Sequence, residues 1–243
     1  MAGIEYVNVC KNYDVSGRSI EVLRGVNMCV PQGAITVILG KSGCGKTTLL
    51  RLTGGLEKPD SGEIRFDMAN RPAFVFQEPR LMPWLNVWDN AAFGLKRADI
   101  DADDLRRIIR TVGLSGFERA YPLQLSGGMQ QRVALARALA YHPSFIMMDE
   151  PFAALDYFTR EQMQQELLRV QRDTGASILF VTHSIDEALL LARRIAIISE
   201  GRISAEFDID APALGRNVMN DEFISLKRAI IAKLDSAVQS ADA

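Results

Sequence analysis

The sequence predicts an α/β fold with a mainly parallel sheet at its core, and three observations carry that prediction. First, apolar β-branched runs alternate with helical periodicity in the C-terminal half. "FIMMD" (145–149), "SILFVT" (177–182) and "RIAIIS" (194–199) are separated by "TREQMQQELLRVQRD" and "IDEALLLAR", as strands joined by crossover helices would be. Second, "AITVILG" (34–40) reads as a strand buried on both faces. Third, that strand feeds directly into "GKSGCGKTT" (40–48) and the helical "KTTLLRLTG", the strand, loop and helix order that a phosphate-binding loop requires.

Taken in order, the chain opens with β-branched runs at 4–9, within 21–30 and at 34–40, each bounded by Gly, Pro, Asn or Asp. "PDSG" (59–62) marks a turn, "EIRF" a short strand, and "AFVFQ" (73–77) another strand, ending at the amide of Gln77. From Glu78 to about Ala140 the pattern turns helical: "NVWDNAAFGL", then "DADDLRRIIRTVGL" with Leu105, Ile108, Ile109 and Val112 at helical spacing, then "LSGGMQQRVALARALA" (125–140). This stretch reads as a helical insertion. The alternating strands and helices follow, with a hairpin at "EGR". Beyond Pro212 one further helix, "DEFISLKRAIIAKL", precedes small polar residues expected to fray. No internal repeat or low-complexity linker interrupts the chain.

Composition narrows the function classes. The chain has 243 residues, 26.9 kDa and 48% hydrophobic content, enough for a sizeable core. Lys and Arg number 28 against 30 Asp and Glu, a formal charge of -2 with both signs dispersed, so no basic stripe marks a nucleic-acid partner. Cys10, Cys29 and Cys44 are three thiols without paired spacing, which argues against a disulfide framework or a zinc site and fits a reducing cytoplasm. The apolar runs fall far short of the roughly 20 residues of a spanning helix.

The loop satisfies G-x-x-x-x-G-K-[ST] through Gly40, Gly45, Lys46 and Thr47; a chance match in a chain this long is on the order of one per cent. Its residues, Gly40, Lys41, Ser42, Gly43, Cys44, Gly45, Lys46, Thr47 and Thr48, are the expected phosphate cradle, with Lys46 reaching the β and γ phosphates and the Thr47 hydroxyl ligating Mg²⁺. Positive potential in the loop is expected to favour a Cys44 thiolate. "FIMMDEP" ends in two acids. Alone, such a pair is commonly a solvated strand end; beside a phosphate loop, Asp149 suits Mg²⁺ and Glu150 suits the orientation and deprotonation of a water. His183 closes "FVTHS", at the carboxyl edge where such sheets place ligands. A second anion-ready turn, Ser126, Gly127 and Gly128, opens the helix of "LSGGMQQR". Ser126 there either receives a phosphate or simply caps its own helix.

These residues together resemble the nucleotide-binding subunit of ABC transporters. "GKSGCGKTT", Gln77 in "FVFQEP", "LSGGMQQR", "FIMMDE", "ALD" (154–156) and His183 stand in that family's order and approximate spacing, over about residues 4 to 209. The resemblance implies an ABC-type P-loop NTPase with a mainly parallel core, an N-terminal antiparallel β subdomain and a helical subdomain inserted at about 78–140, all within 1–210, followed by a helical tail over 211–243. It implies ATP and Mg²⁺ as cofactors, with hydrolysis by Glu150 assisted by His183, Gln77 and Lys46. Mg²⁺ would be held by Thr47, Gln77 and Asp149. It makes Tyr13 the adenine-stacking aromatic, although a Tyr at a strand end is also commonly a packing residue. It places Asp156 at a homodimer seam and has Ser126, Gly127 and Gly128 of one subunit bind the γ phosphate on the partner's loop.

The lone cassette without a spanning helix suits an importer, in which ATPase and permease are separate chains. Such a subunit would sit peripherally on the cytoplasmic face of the inner membrane, served indirectly by a solute-binding protein. The alternative is a soluble ABC ATPase of DNA repair or translation. "PRLMPWLNVWDNAAFGL" and "PFAALDYFTREQMQ" resemble the nitrate, sulfonate and taurine importer ATPases, while "FDMANRPAFVFQ" is shorter than that group's strand, loop and strand. Leu81, Met82, Trp84, Leu85 and Trp88 are either core of the helical segment or a groove for a permease helix.

Overall fold

A computed structural model describes residues 2–66, 72–213 and 215–239. Two sheets form the frame. The first is antiparallel, with β1 (Ala2–Val15) between β2 (Arg18–Pro31) and β4 (Ser61–Phe66). The second has the order β5-β6-β7-β3-β8-β9, from β3 (Ile35–Leu39), β5 (Pro72–Val75), β6 (Phe145–Asp149), β7 (Ser177–Thr182), β8 (Arg194–Ser199) and β9 (Arg202–Asp208). All its neighbours are parallel except β8 and β9, the hairpin at "EGR". The mixed architecture expected of an ABC-type nucleotidase is therefore the one observed.

Seven α-helices complete the described chain: α1 (Lys46–Thr53), α2 (Val87–Ala91), α3 (Ala102–Thr111), α4 (Gly127–Leu139), α5 (Tyr157–Thr174), α6 (Ile185–Leu191) and α7 (Asp221–Gln239). Side chains on the four central strands alternate between two cores, as the period of two demands. Val37, Ile146, Phe180 and Ile195 face the helices that carry Leu105, Leu135, Leu167 and Leu189. Ile38, Met147, Leu179 and Ala196 face the opposite side. There Leu49 and Leu50 of α1 lie with Tyr6, Leu23 and Val26 of the antiparallel sheet. The continuous apolar strands thus arise because both faces are covered.

The N-terminal strands are longer than the sequence suggests. β1 continues through the polar "KNYDV" because cross-strand pairing with β2, not apolar alternation, holds that stretch. Irregular register between Tyr6 and Asn12, with Asn8 at φ 51, bends the ladder, and a two-residue turn at Ser16 and Gly17 (φ 54 and 77) closes it. β5 ends two residues before Gln77, where its pairing with β6 stops at Val75↔Met148. Residues 67–71 of the short segment before Gln77, and residues 240–243 of the stretch expected to fray, lie outside the described residues.

An arginine helps to dock the tail, whose helix also buries Phe223 and Ile230. Arg216 donates to the carbonyls of Leu189 and Ala192 at the end of α6 (2.6 and 2.8 Å) and to Ala211 (2.6 Å), supplying the donors that a helix C-terminus lacks. Burial, and secondarily the neighbouring Arg193, pull its guanidinium down to about 10. At the other end of α6, Asp186 pairs with Lys227 of α7 at 2.5 Å.

Candidate active site

Strand register assembles the site. Leu39 of β3 pairs with Thr182 of β7, and Asp149 of β6 pairs with Val181, so the segments leaving three adjacent parallel strands open at one edge. They bound a pocket of about 710 Å³ lined by Lys41, Ser42, Gly43, Gly45, Lys46, Thr47, Thr48, Gln77, Glu150 and His183, with Val22 of β2 on one wall. Val22 carries no chemical signal in the sequence, because its place depends on how the two sheets pack.

The loop is shaped for an anion. Gly45 caps α1 with φ 105 and no side-chain bond, and a Cβ there would fall 2.8 Å from Leu23 Cδ2. Only glycine fits, and the first N–H groups of α1 stay open to a ligand. Lys46 is buried, its ammonium donating to the carbonyls of Gly40 and Lys41, both at 2.8 Å. These bonds satisfy the charge locally and can be exchanged for phosphate oxygens.

Asp149 is 5% exposed and accepts from Thr47 Oγ1 at 3.2 Å. Burial raises its carboxyl above the usual carboxylate range, against the lowering effect of that Thr47 bond; Glu150 raises it further, and Lys46 and Arg51 lower it. A hydroxyl and a carboxylate short of counter-charge form the hard-oxygen donor set that Mg²⁺ takes, completed by phosphate and water. Among the described residues no cluster of three or more His, Cys, Asp or Glu offers a denser metal cage.

Glu150 adopts φ 44, with its N–H bonded to the Val181 carbonyl at 3.0 Å. A left-handed glutamate carries strain of order 1–3 kcal/mol, about what functional sites hold. Its Oε2 meets His183 Nδ1 at 2.9 Å. An ionised carboxylate only accepts, so Nδ1 carries the proton and Nε2 is left as the other ring nitrogen. Gln77 is exposed at the pocket wall. The loop around it is held by α4: Gln131 Nε2 donates to the Phe76 carbonyl (2.9 Å), and Arg137 donates to Pro79 and Arg80 (2.8 and 2.9 Å). Gln131 escaped the sequence reading; its one signal is a polar residue four before Leu135, on the apolar side of the helix.

Tyr13 and the signature turn sit apart from the pocket wall. Tyr13 is half-buried, its hydroxyl donating to Glu57 and touching Thr48. Ser126, Gly127 and Gly128 do not line the pocket at all. Ser126 caps α4 by accepting from Met129 N–H at 3.2 Å. Ser126 and Gly127 are exposed, and a Cβ on Gly127 would meet nothing within 4 Å. The chain therefore presents its two anion-ready turns on separate surfaces.

The Cys44 expectation is overturned. Its side chain packs against the core beneath the loop and is absent from the pocket wall. Burial pushes the thiol up, with Lys46 opposing but not prevailing. A raised thiol holds less thiolate at neutral pH, so reactivity falls. Alkylation of Cys44 by iodoacetamide, followed by peptide mass spectrometry, is expected to be slower at pH 7 than that of an unstructured cysteine peptide. It should accelerate as pH rises past the ordinary thiol range and slow further with saturating ATP; a rate at pH 7 equal to the peptide's would contradict the burial.

Similarity to known proteins agrees with this geometry. The ABC transporter family profile matches residues 23–153. The chain is 48% identical over 204 residues to the taurine import ATP-binding protein TauB of Burkholderia thailandensis, covering 79% of this chain and 78% of that protein. It is 43% identical over 214 residues to the aliphatic sulfonates import ATP-binding protein SsuB 3 of Nocardia farcinica, covering 88% and 85%. A dimeric ATP-binding cassette solved in a post-hydrolysis state with ADP and Pi matches the fold with a TM-score of 0.78 at 32% identity, over 86% of this chain and 99% of that one. A phosphate loop, two acids and a histidine on one sheet edge, with a signature turn displaced from them, thus belong to an ATPase: the chain is a member of the ABC transporter family, an ATP-binding subunit.

Proposed function

We propose that this chain is the motor of an ABC importer, hydrolysing ATP at two sites shared by a homodimer and so driving uptake of a small anionic solute of the sulfonate, taurine or nitrate kind. The observation that carries the reading is the separation of the signature turn from the chain's own pocket. An exposed Ser126 and Gly127 with open space before them suit a phosphate delivered by a partner. The importer names of the similar proteins support the direction of transport and the solute class. They favour it over a role in DNA repair or translation.

In this reading Lys46 leaves the Gly40 and Lys41 carbonyls for the β and γ phosphates, while the loop N–H groups hold the remaining oxygens. Thr47 and Asp149, with Gln77 at the wall, would hold Mg²⁺, which when bound neutralises phosphate charge. Glu150 orients a water and takes its proton, and His183 steadies the Glu150 carboxylate through Nδ1. Tyr13 offers its ring to adenine. Closure lasts while a γ phosphate bridges the two surfaces, because only then do the signature donors gain a contact. Residues 1–210 form the ATPase unit, with the helical subdomain at about 78–140, and 211–243 the tail. No described helix is long and apolar enough to cross a membrane. In the importer reading that the similar proteins support, the subunit acts from the cytoplasmic face through permease chains, with a solute-binding protein on the far side.

The permease surface differs in detail from the cluster of five. Leu81 and Trp88 pack against the core, whereas Trp84 is 70% exposed. Met82 lines a groove of about 520 Å³ with Phe74, Phe76, Arg80, Phe93 and Tyr141, next to the Gln77 loop. We assign the permease's docking helix to this groove and Trp84.

Two experiments test the reading. Glu150→Gln should retain ATP binding, lose turnover by about 100-fold or more and accumulate a nucleotide-dependent dimer; unchanged hydrolysis would remove Glu150 from its role. Trp84→Glu should reduce transport and co-fractionation with permease-containing membranes without lowering the unfolding midpoint, and undiminished transport would move the docking surface elsewhere.

A further inference from the structure

One buried carboxylate, used by none of the phosphate chemistry above, gathers the residues that flank His183. Glu187, in the first turn of α6, is 7% exposed. Its Oε2 accepts from Thr182 Oγ1 at 2.6 Å, and the same Thr182 oxygen accepts from the Ser184 N–H at 3.0 Å. The residues before and after His183 are thereby fastened to one anchor. On its other oxygen Glu187 accepts from Gln164 Nε2 of α5 at 3.2 Å and has Arg160 Nε at 4.0 Å.

A helix-capping role accounts for only part of this. Ser184 and Glu187 have the spacing of a capping box, and Ser184 Oγ does accept from the Glu187 N–H at 3.3 Å. The reciprocal bond, from the Ser184 N–H to the Glu187 carboxylate, is replaced by the one to Thr182. The carboxylate is instead turned inward, where burying a charge is costly unless it is fully bonded. Its bonds go to the turn that aims His183 and to the helix whose N-cap is Asp156, which accepts from Thr159 N–H at 3.1 Å. In that helix Arg160 also donates to the Leu155 carbonyl at 2.9 Å.

We infer that Glu187 is a positioning residue for ATP hydrolysis. It fixes the turn carrying His183 against Glu150 and ties that turn to α5 through Gln164 and Arg160. The inference rests on the role given to His183 above. A small misplacement of a catalytic group costs rate far more than it costs substrate affinity, and that split separates positioning from general stability.

The test is a double-mutant cycle on the full chain with Mg-ATP, using Glu187→Gln, His183→Ala and both together. Glutamine removes the charge beside Arg160, and its amide nitrogen can meet Thr182 only if that hydroxyl turns from donor to acceptor. On the wild-type background Glu187→Gln is expected to lower kcat about 10-fold or more, with KM changed less than about 2-fold. On the His183→Ala background the same change should cost less than about 2-fold, while the shift in unfolding midpoint is alike on both. Equal losses of kcat on both backgrounds, or no loss on the wild type, overturn the positioning role alone. An unchanged kcat in His183→Ala overturns it together with the role of His183. Should Glu187→Gln fail to fold, Thr182→Val removes the relay hydroxyl and keeps the carboxylate, and the same non-additivity with His183→Ala is expected.

Discussion

The register of three parallel strands is the constraint on which the site depends. β6, β7 and β3 lie side by side with Asp149 opposite Val181 and Thr182 opposite Leu39. A slip by one residue would turn Asp149 to the other face, away from Thr47, and bury a carboxylate without a donor. The two apolar cores prevent it, since Phe180 and Leu179 each have a matched side and exchanging them would misfill both. Packing far from the nucleotide thus sets the aim of the acids.

Around that edge the charges are arranged to be incomplete. Lys46 donates to neutral loop carbonyls rather than to an anion, Asp149 lies buried with its carboxyl raised, and Glu150 holds a left-handed backbone beside His183. A polyphosphate would meet the Lys46 ammonium and a divalent cation the Asp149 carboxylate, which is how a site is made ready for a ligand. The signature turn is exposed away from the pocket, and α4 links it to the Gln77 loop through Gln131 and Arg137. Phosphate held at the start of α4 and a permease seated beside Phe76 would therefore pull on one rigid element. Energy reaches the membrane in this account by way of a helix with a ligand at one end and a tethered loop along its side.

Legibility in the sequence follows how local the determinants are. The strands at 145–149, 177–182 and 194–199 were visible in full, because burial on both faces makes them uninterrupted apolar runs. The phosphate loop was visible because its glycines and lysine answer purely local backbone needs. β1 and β2 were read short, since pairing carries polar residues such as Lys11 and Asn12 that no apolar pattern marks. Cys44 was misjudged because loop potential is a local inference, whereas the direction of its side chain is set by the packing of β1 and β2 on α1. Gln131 is hidden for a related reason, its partner Phe76 lying 55 residues away, and Glu187 shows locally only the capping-box spacing with Ser184 while its inward turn also depends on Gln164, 23 residues away.

The central claim is that a complete hydrolysis site needs the phosphate loop of one chain and the signature turn of another. Mixing two inactive variants tests it most directly: Lys46→Ala, which spoils the loop, and Ser126→Arg, which blocks the turn. The Ser126→Arg chain still offers an intact loop and the Lys46→Ala chain an intact turn, so the mixed dimer should regain one working site and hydrolyse ATP when neither variant does so alone. If mixing restores nothing although mixed dimers form, or if either variant alone keeps the full rate, each chain completes its own reaction centre and the account fails.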